Sequence, residues 1–160
     1  MQVMAMLCDH AQTSSDNKLF ISGANINRLW VASAEPPLGI NAGLAVLVEI
    51  GWQETNQAHK LVIELVFDDP AGARQVELPV PPAPDATPEE RGNIIAEFNA
   101  GRGPDMVPGE ATLMPIAMNF PGLQLPAPGS YFFRVSIDGT EQARVPFRLQ
   151  VVNQFAGMPR

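Results

Sequence analysis

Alternation of apolar and polar residues dominates the last third of the chain and predicts a β-hairpin there. Between residues 131 and 137, and again between 143 and 151, every second residue is apolar and the residues between are mostly polar. Because successive side chains of a strand point to opposite faces, each run predicts a strand with one buried and one solvent-facing side. Asp138 and Gly139 lie between the runs, and this pair tolerates the positive φ angles of a tight hairpin turn.

The same alternation recurs upstream and predicts further strands. Residues 44–52 and 61–67 alternate cleanly, and the short polar link between them favours a second hairpin. Residues 69–72 read Asp-Pro-Ala-Gly, the residue types of a type I turn. Pro115 lies within another alternating run, which favours an edge strand or a bulge there. Residues 2–9 are apolar on both faces, so they predict a strand buried on both sides.

The alternation of apolar and polar residues stops in a Pro/Gly-rich excursion, a long connecting segment at residues 79–109. Thr87, Pro88 and Glu90 match the start of a helix with a capping box, so we expect one short helix in this long loop. Loops longer than about 12–15 residues are uncommon in compact domains and are often functional. Its apolar side chains must either cap the open end of the fold or dock on another chain; they are Ile94, Ile95, Phe98 and Met106.

About eight or nine strands at intervals of roughly ten residues predict an all-β protein. Hairpins with one buried and one solvent-facing side are most simply arranged as two sheets that pack together through their buried faces. We therefore expect an antiparallel two-sheet β-sandwich of immunoglobulin-like or C2-like type. The length of 160 residues fits one domain, residues 1–160.

The net charge and the cysteine content restrict the classes of partner and the cellular compartment to be expected. Ten Lys and Arg against 17 Asp and Glu give a net charge of −7, which argues against nucleic acid and anionic membrane surfaces. The apolar run at the N-terminus is too short to span a membrane and has no basic start, so we expect no membrane insertion. The one cysteine, Cys8, excludes an internal disulfide and favours a reducing, cytoplasmic location.

Candidate chemistry is sparse, and no cofactor is predicted. Cys8 and His10 would share a strand face, but a zinc site needs three or four ligands and the only other histidine is His59. A buried thiol beside a strand-end histidine is the favoured interpretation. The sequence has no nucleophile elbow, phosphate-binding glycine loop or His-Glu-x-x-His motif, so an enzyme is the least favoured class.

Carboxylates at predicted strand ends raise a ligand-binding alternative. Loops at one end of a C2-like sandwich bind Ca²⁺ through several oxygens. Aspartate is also a common turn residue, because it bonds to its own backbone, and that interpretation is favoured here. The residues concerned are Asp9, Asp16, Asp68, Asp69 and Asp138.

The polar face of the closing hairpin provides the best candidate interaction surface. Arg134, Arg144 and Arg148 would form a small cationic strip for an anion or an acidic partner, or a solvated face balanced by nearby carboxylates. Phe132 lies on the same face, which suggests a covering loop, a second layer or a partner.

Several segments resemble an uncharacterised family of short bacterial proteins. They are Cys-Asp-His-Ala at residues 8–11, Lys-Leu-Phe-Ile-Ser-Gly at 18–23, Ala-Val-Leu-Val-Glu-Ile at 45–50 with Trp52, His-Lys-Leu at 59–61, and Pro-Gly-Ser-Tyr-x-Phe-x-Val-x-Ile-Asp-Gly at 128–139. The resemblance implies a bacterial, single-domain, all-β protein and carries no assigned activity.

The residues together favour a non-catalytic protein–protein interaction or assembly module, of which a homo-oligomer is one form. Its expected surfaces are the arginine-bearing hairpin face and the 79–109 excursion. A ligand-binding domain for Ca²⁺ or a small anion is the alternative.

Overall fold

A computed structural model of the protein describes residues 1–81, 87–88 and 90–152. Eleven strands account for most of this part of the chain, with one 3-10 turn at Trp52–Glu54. The strands are β1 Gln2–Cys8, β2 His10–Thr13, β3 Leu19–Ser22, β4 Arg28–Val31, β5 Leu38–Gly51, β6 Ala58–Asp69, β7 Gly72–Val76, β8 Ile94–Asn99, β9 Ala111–Leu125, β10 Gly129–Ile137 and β11 Thr140–Val151.

The strands form three sheets. An antiparallel three-stranded sheet has the order β1-β5-β9. A six-stranded sheet has the order β4-β11-β10-β6-β7, and β8 pairs with the other half of β6. A two-stranded ribbon of β2 and β3 lies on the outer face of the three-stranded sheet.

The all-β prediction is therefore right, but the predicted two-sheet antiparallel sandwich, immunoglobulin-like or C2-like, is wrong. There are three sheets, and the six-stranded one is mixed because β4 runs parallel to β11. Alternation marks where a strand is and which face it buries, whereas its partner and direction depend on distant segments. A parallel neighbour needs a long crossover connection, which leaves no local signature in either strand.

The closing hairpin forms as predicted. Residues 129–137 pair with 140–149 in antiparallel register, with an irregularity between Val135 and Ser136. Asp138 and Gly139 take the positive φ values of 51° and 77° that their turn requires. The predicted turn at residues 69–72 also forms: it joins β6 to β7, and Asp69 Oδ1 accepts a hydrogen bond from Ala71 N at 2.8 Å.

The second predicted hairpin is wrong, because β5 and β6 belong to different sheets. The short link between them crosses from one sheet to the other instead of turning back within one. Arg102 holds this crossing in place: its Nε donates to Thr55 Oγ1 at 3.1 Å and its guanidinium lies 3.8 Å above the Trp52 ring. A contact from so far along the chain cannot be read from the link itself.

The short helix predicted in the 79–109 excursion is also wrong for the described residues. The capping contacts do form, since Thr87 N and Oγ1 donate to Glu90 Oε2 at 3.0 and 3.1 Å. Gly92 then adopts a φ of +77°, which ends the turn. The chain continues as β8 along β6, because Ile94 and Phe98 gain burial against the core there.

One apolar cluster joins the inner faces of the two larger sheets. An aromatic stack runs through it, with ring centroids 4.7 Å apart for Phe67 and Tyr131 and 5.4 Å apart for Tyr131 and Phe147. Complete burial of each large apolar side chain contributes about 1.5–3 kcal/mol. The largest fully buried side chains are Tyr131, Phe133, Leu7, Leu44, Ile50, Ile63, Leu65, Leu123, Leu125, Leu149, Val46 and Val48.

Strand β1 lies at a sheet edge and buries only part of its second face, so the prediction of burial on both sides is wrong. Met4 and Met6 are 57% and 37% exposed. The β2–β3 ribbon covers only the far end, where Cys8 and Ala11 are buried. The side chain of Asn119 clamps the ribbon, because it accepts a hydrogen bond from Ala11 N at 3.0 Å and donates one to Ala11 O at 2.8 Å. Strand β9 lies at the opposite edge, as the position of Pro115 predicted.

Candidate interaction surface

Strand register places the predicted arginine strip on the outer face of the six-stranded sheet. Arg134 on β10 lies directly between Arg144 on β11 and Glu64 on β6. Arg134 Nε donates to Glu64 Oε2 at 2.7 Å, and Arg144 donates two hydrogen bonds of 2.9 Å to the carboxylate of Glu141. The Arg144 guanidinium in turn holds the pKa of Glu141 below its usual range. Two of the three predicted arginines are therefore neutralised within the sheet.

The unusual position of Phe132 has an explanation within the same face. Its ring lies on the outer side of the sheet yet is only 8% exposed. The guanidinium of Arg144 lies 4.2 Å above the ring centroid, a cation–π contact. The cover expected over Phe132 is thus supplied by a neighbouring arginine of the closing hairpin.

The third predicted arginine has a neighbour that the sequence did not reveal. Arg148 pairs in register with Arg28, because β4 runs parallel to β11. Both side chains are exposed, since the alternate residues Leu29 and Leu149 pack into the core. Within the part of the chain that the structure describes, neither arginine forms an ion pair.

These residues line a depression of about 390 Å³ on the outer face, which we call the arginine groove. Arg28 and Arg148 contribute positive charge that is unpaired within the described chain, Arg144 is paired with Glu141, and Asp68 is the carboxylate among the lining residues. Apolar contributions come from the ring of Phe132 and from Pro146. The groove therefore combines excess positive charge with an apolar floor.

The apolar residues of the 79–109 excursion lie elsewhere. Ile94 and Phe98 pack against the main core, whereas Ile95 is half-buried on the outer side of β8. Met106 is half-buried, and its sulfur accepts a hydrogen bond from Thr112 Oγ1 at 3.7 Å. Because β8 and β4 lie at opposite edges of the six-stranded sheet, the candidate residues do not form one continuous surface.

His59 is a buried, hydrogen-bonded side chain whose structural role the sequence did not indicate. His59 is 8% exposed; its Nδ1 lies 2.7 Å from Asp138 Oδ2 and its Nε2 lies 2.8 Å from the carbonyl oxygen of Glu54. Both partners accept hydrogen bonds, so with both bonds formed both ring nitrogens donate and the ring is the imidazolium cation, the form present below its folded-state pKa. The hydrogen bond to Asp138 raises the pKa of His59, and the same bond lowers the pKa of Asp138. Only the alternation around residue 59 hinted at burial.

The remaining candidate ligands are dispersed. Asp16 pairs with Lys18, and Asp69 Oδ2 accepts a hydrogen bond from Arg74 at 2.9 Å. Among the described residues, no group of three or more His, Cys, Asp or Glu side chains is placed to hold a metal ion. Cys8 is completely buried, and burial raises the pKa of its thiol. A thiol in that state is a poor nucleophile.

The fold and the surface define an all-β domain of three sheets with an arginine groove on its mixed sheet. A sequence model of the DUF6941 family, a family of unknown function, matches residues 3–150. The chain belongs to that family. The resemblance to an uncharacterised family that the sequence motifs indicated is therefore confirmed.

Comparisons with characterised proteins add little. No curated protein matches the chain. One solved structure with a similar backbone is that of the Pseudomonas fluorescens alkylpurine DNA glycosylase AlkC bound to DNA containing an abasic site analog. It has a TM-score of 0.43 and 11% sequence identity, over 78% of this chain and 27% of that one. No inference rests on a likeness of that size. In the described residues, the structure has no helix long and apolar enough to cross a membrane.

Proposed function

We propose that the protein is a non-catalytic protein–protein interaction module that engages its partner through the arginine groove. One observation carries the proposal: Arg28 and Arg148 lie side by side on neighbouring strands, exposed, with no ion pair in the described chain. Arginine beside aromatic surface is enriched at protein interfaces, because it combines charge, hydrogen bonding and stacking.

Self-association is a second part of the proposal, and a different surface supports it. The outer face of the three-stranded sheet exposes Met4, Met6 and Leu113 where the β2–β3 ribbon does not reach. Exposed apolar side chains clustered on a sheet face are typical of contact surfaces. A homo-oligomer would cover them.

A small-anion site in the same groove is the alternative function. Two neighbouring guanidinium groups can grip one phosphate or carboxylate, since each offers a planar set of donors. The single cysteine of the sequence favours a reducing compartment, and we propose a cytoplasmic location on that basis.

Light scattering and affinity capture test the proposal together. We expect either a mass above that of the monomer or specific capture of a partner that cross-links to β4 or β11. A strictly monomeric protein at high concentration that captures no specific partner would contradict the interaction function. Cross-links confined to the three-stranded sheet would instead indicate an interface on the exposed surface of Met4, Met6 and Leu113.

A further inference from the structure

We propose that the arginine groove recognises an acidic segment of a partner protein, with a carboxylate held by Arg28 and Arg148 and an apolar side chain on Pro146. This inference rests on the proposed interaction function and specifies the chemistry of the partner. It follows from the charge pattern, size and lining of the groove.

The charge pattern is the first argument. Arg28 and Arg148 are paired residues of adjacent strands, whose backbones lie about 4.8 Å apart. Like charges directly opposite one another on a sheet destabilise it. A carboxylate between the two guanidinium groups would remove that repulsion and satisfy donors on both.

The contrast with the other basic residues is the second argument. In the described chain, five Lys and Arg side chains pair with a carboxylate: Lys18, Lys60, Arg74, Arg134 and Arg144. Within the same part of the chain Arg28, Arg91, Arg102 and Arg148 do not, and of these Arg28 and Arg148 lie side by side on neighbouring strands. The protein carries 17 acidic residues and a net charge of −7, so carboxylates are plentiful. An adjacent pair of arginines without one therefore stands out as a place where the charge comes from another molecule.

The size and lining of the groove favour a protein segment over a free ion. Its volume of about 390 Å³ is large compared with the roughly 10–15 Å³ that a single water needs on the same measure. A small anion at Arg28 and Arg148 would leave the exposed ring of Pro146 in water, whereas an apolar side chain of a peptide would cover it. Arg144 already lies on the Phe132 ring and pairs with Glu141, so the floor is held in place before binding.

Asp68 makes the two ends of the groove differ in charge. It is exposed, lines the groove and contributes a negative charge near Arg144. A second carboxylate of the partner would be repelled there, whereas a backbone N–H or a lysine would be attracted. The preferred segment thus has a carboxylate at the Arg28 end and no acidic residue at the Asp68 end.

A synthetic peptide of alternating glutamate and leucine, blocked at both ends, provides a probe of this chemistry. Arginine side-chain resonances of ¹⁵N-labelled full-length protein report its binding, and the same peptide with glutamine in place of glutamate is the control ligand. We expect saturable shifts of Arg28 and Arg148 that weaken as salt screens the charges. Equal binding of the glutamine peptide, or no binding of either, would overturn the proposal.

Three variants sharpen the test. Arg148→Gln should raise the dissociation constant for the glutamate peptide about tenfold, equivalent to about 1.4 kcal/mol, whereas Arg91→Gln, the same charge change at an exposed arginine outside the groove, should leave it unchanged. Asp68→Asn should tighten binding, because it removes the opposing charge. Equal weakening by the two arginine variants would show nonspecific attraction and contradict the site.

Measurements of melting temperature and of competition with phosphate distinguish the proposal from an internal role of Arg148 and from a small-anion site. Arg148→Gln should keep or raise the melting temperature, because it relieves repulsion from Arg28; a clear decrease would reveal an internal role for Arg148 and overturn the proposal. Inorganic phosphate that shifts the same resonances and fully displaces the peptide at equal concentration would replace it with a small-anion site.

Failure of this inference can be told apart from failure of the interaction function. If the wild type and the Arg28→Gln, Arg148→Gln double variant capture the same partner equally well, the partner binds elsewhere. The interaction function then stands and the groove proposal falls. If no partner is captured and the protein is monomeric, the interaction function falls, while the peptide titration still decides what the groove binds.

Discussion

Asp138→Asn isolates the charge of the ion pair that buries His59. Asparagine keeps the size of the side chain and tolerates the positive φ of 51° at this turn position. Its oxygen can still accept the hydrogen bond from Lys60 N, which is 2.9 Å long in the wild type. What the variant loses is the anion that faces His59 Nδ1 at 2.7 Å.

The expected cost follows from the burial of the two partners. A hydrogen bond between charged groups contributes about 1.5–3 kcal/mol net. His59 is 8% exposed, but the Asp138 side chain is 51% exposed, so solvent screening lowers that contribution. We expect the free energy of unfolding to fall by about 1–2 kcal/mol at mildly acidic pH.

The effect must depend on pH in a defined direction. The pKa of His59 is raised above its ordinary value of 6.5, so its contribution is fully present below pH 6.5 and is lost as pH rises through the folded-state pKa. The pKa of Asp138 is lowered below 3.8, so its contribution is present above pH 3.8 and is lost as pH falls through the folded-state pKa. The variant should therefore cost most between pH 3.8 and 6.5.

Urea unfolding of wild type and variant at about pH 5.5 and about pH 9 measures this difference. Asp16→Asn is the matched control, because Asp16 pairs on the surface with Lys18 and its lowered pKa keeps the carboxylate ionised at both pH values. Its small effect should be the same at both. An Asp138→Asn penalty of equal size at the two pH values would refute a charged His59.

Three further substitutions test other parts of the fold. Asn119→Ala removes both hydrogen bonds to Ala11, so hydrogen exchange in the β2–β3 ribbon should accelerate while β10 and β11 keep their protection; uniform acceleration would contradict a locally docked ribbon. Arg102→Lys keeps the charge but loses the flat contact with Trp52 and the fork of donors, so we expect a loss of about 1–2 kcal/mol in urea unfolding, and an unchanged midpoint would be the contrary result. Phe133→Ala empties a completely buried site and should cost about 3–5 kcal/mol by thermal melting, whereas a cost below 1 kcal/mol would deny its place in the core.

The local parts of the fold were predictable from the sequence, and the non-local parts were not. Asp138 and Gly139 set the turn of the closing hairpin through their own backbone preferences, so turn, strands and buried face followed together. The link between β5 and β6 has no such residues. It crosses to another sheet, and the contacts that hold the crossing in place come from Arg102, which lies in a different part of the chain.

The candidate surface shows the same division. Arg148 and Phe132 were identifiable because their faces follow from alternation within one hairpin. Arg28 was not, since its place beside Arg148 comes from a parallel pairing between strands far apart in the sequence. The position of Glu64, which neutralises Arg134, likewise required the register of the sheet, whereas Glu141 pairs with Arg144 three residues away on the same strand.

The parallel pairing of β4 with β11 has a consequence for how the protein is made. A ribosome delivers β4 well before β11, so the early strand waits for the strands between them before its neighbour exists. Pairings between segments so distant slow folding, because the intervening chain must lose its freedom before the contact forms. Until then β4 is an uncovered strand, the kind of segment that chaperones bind and that aggregates when they do not.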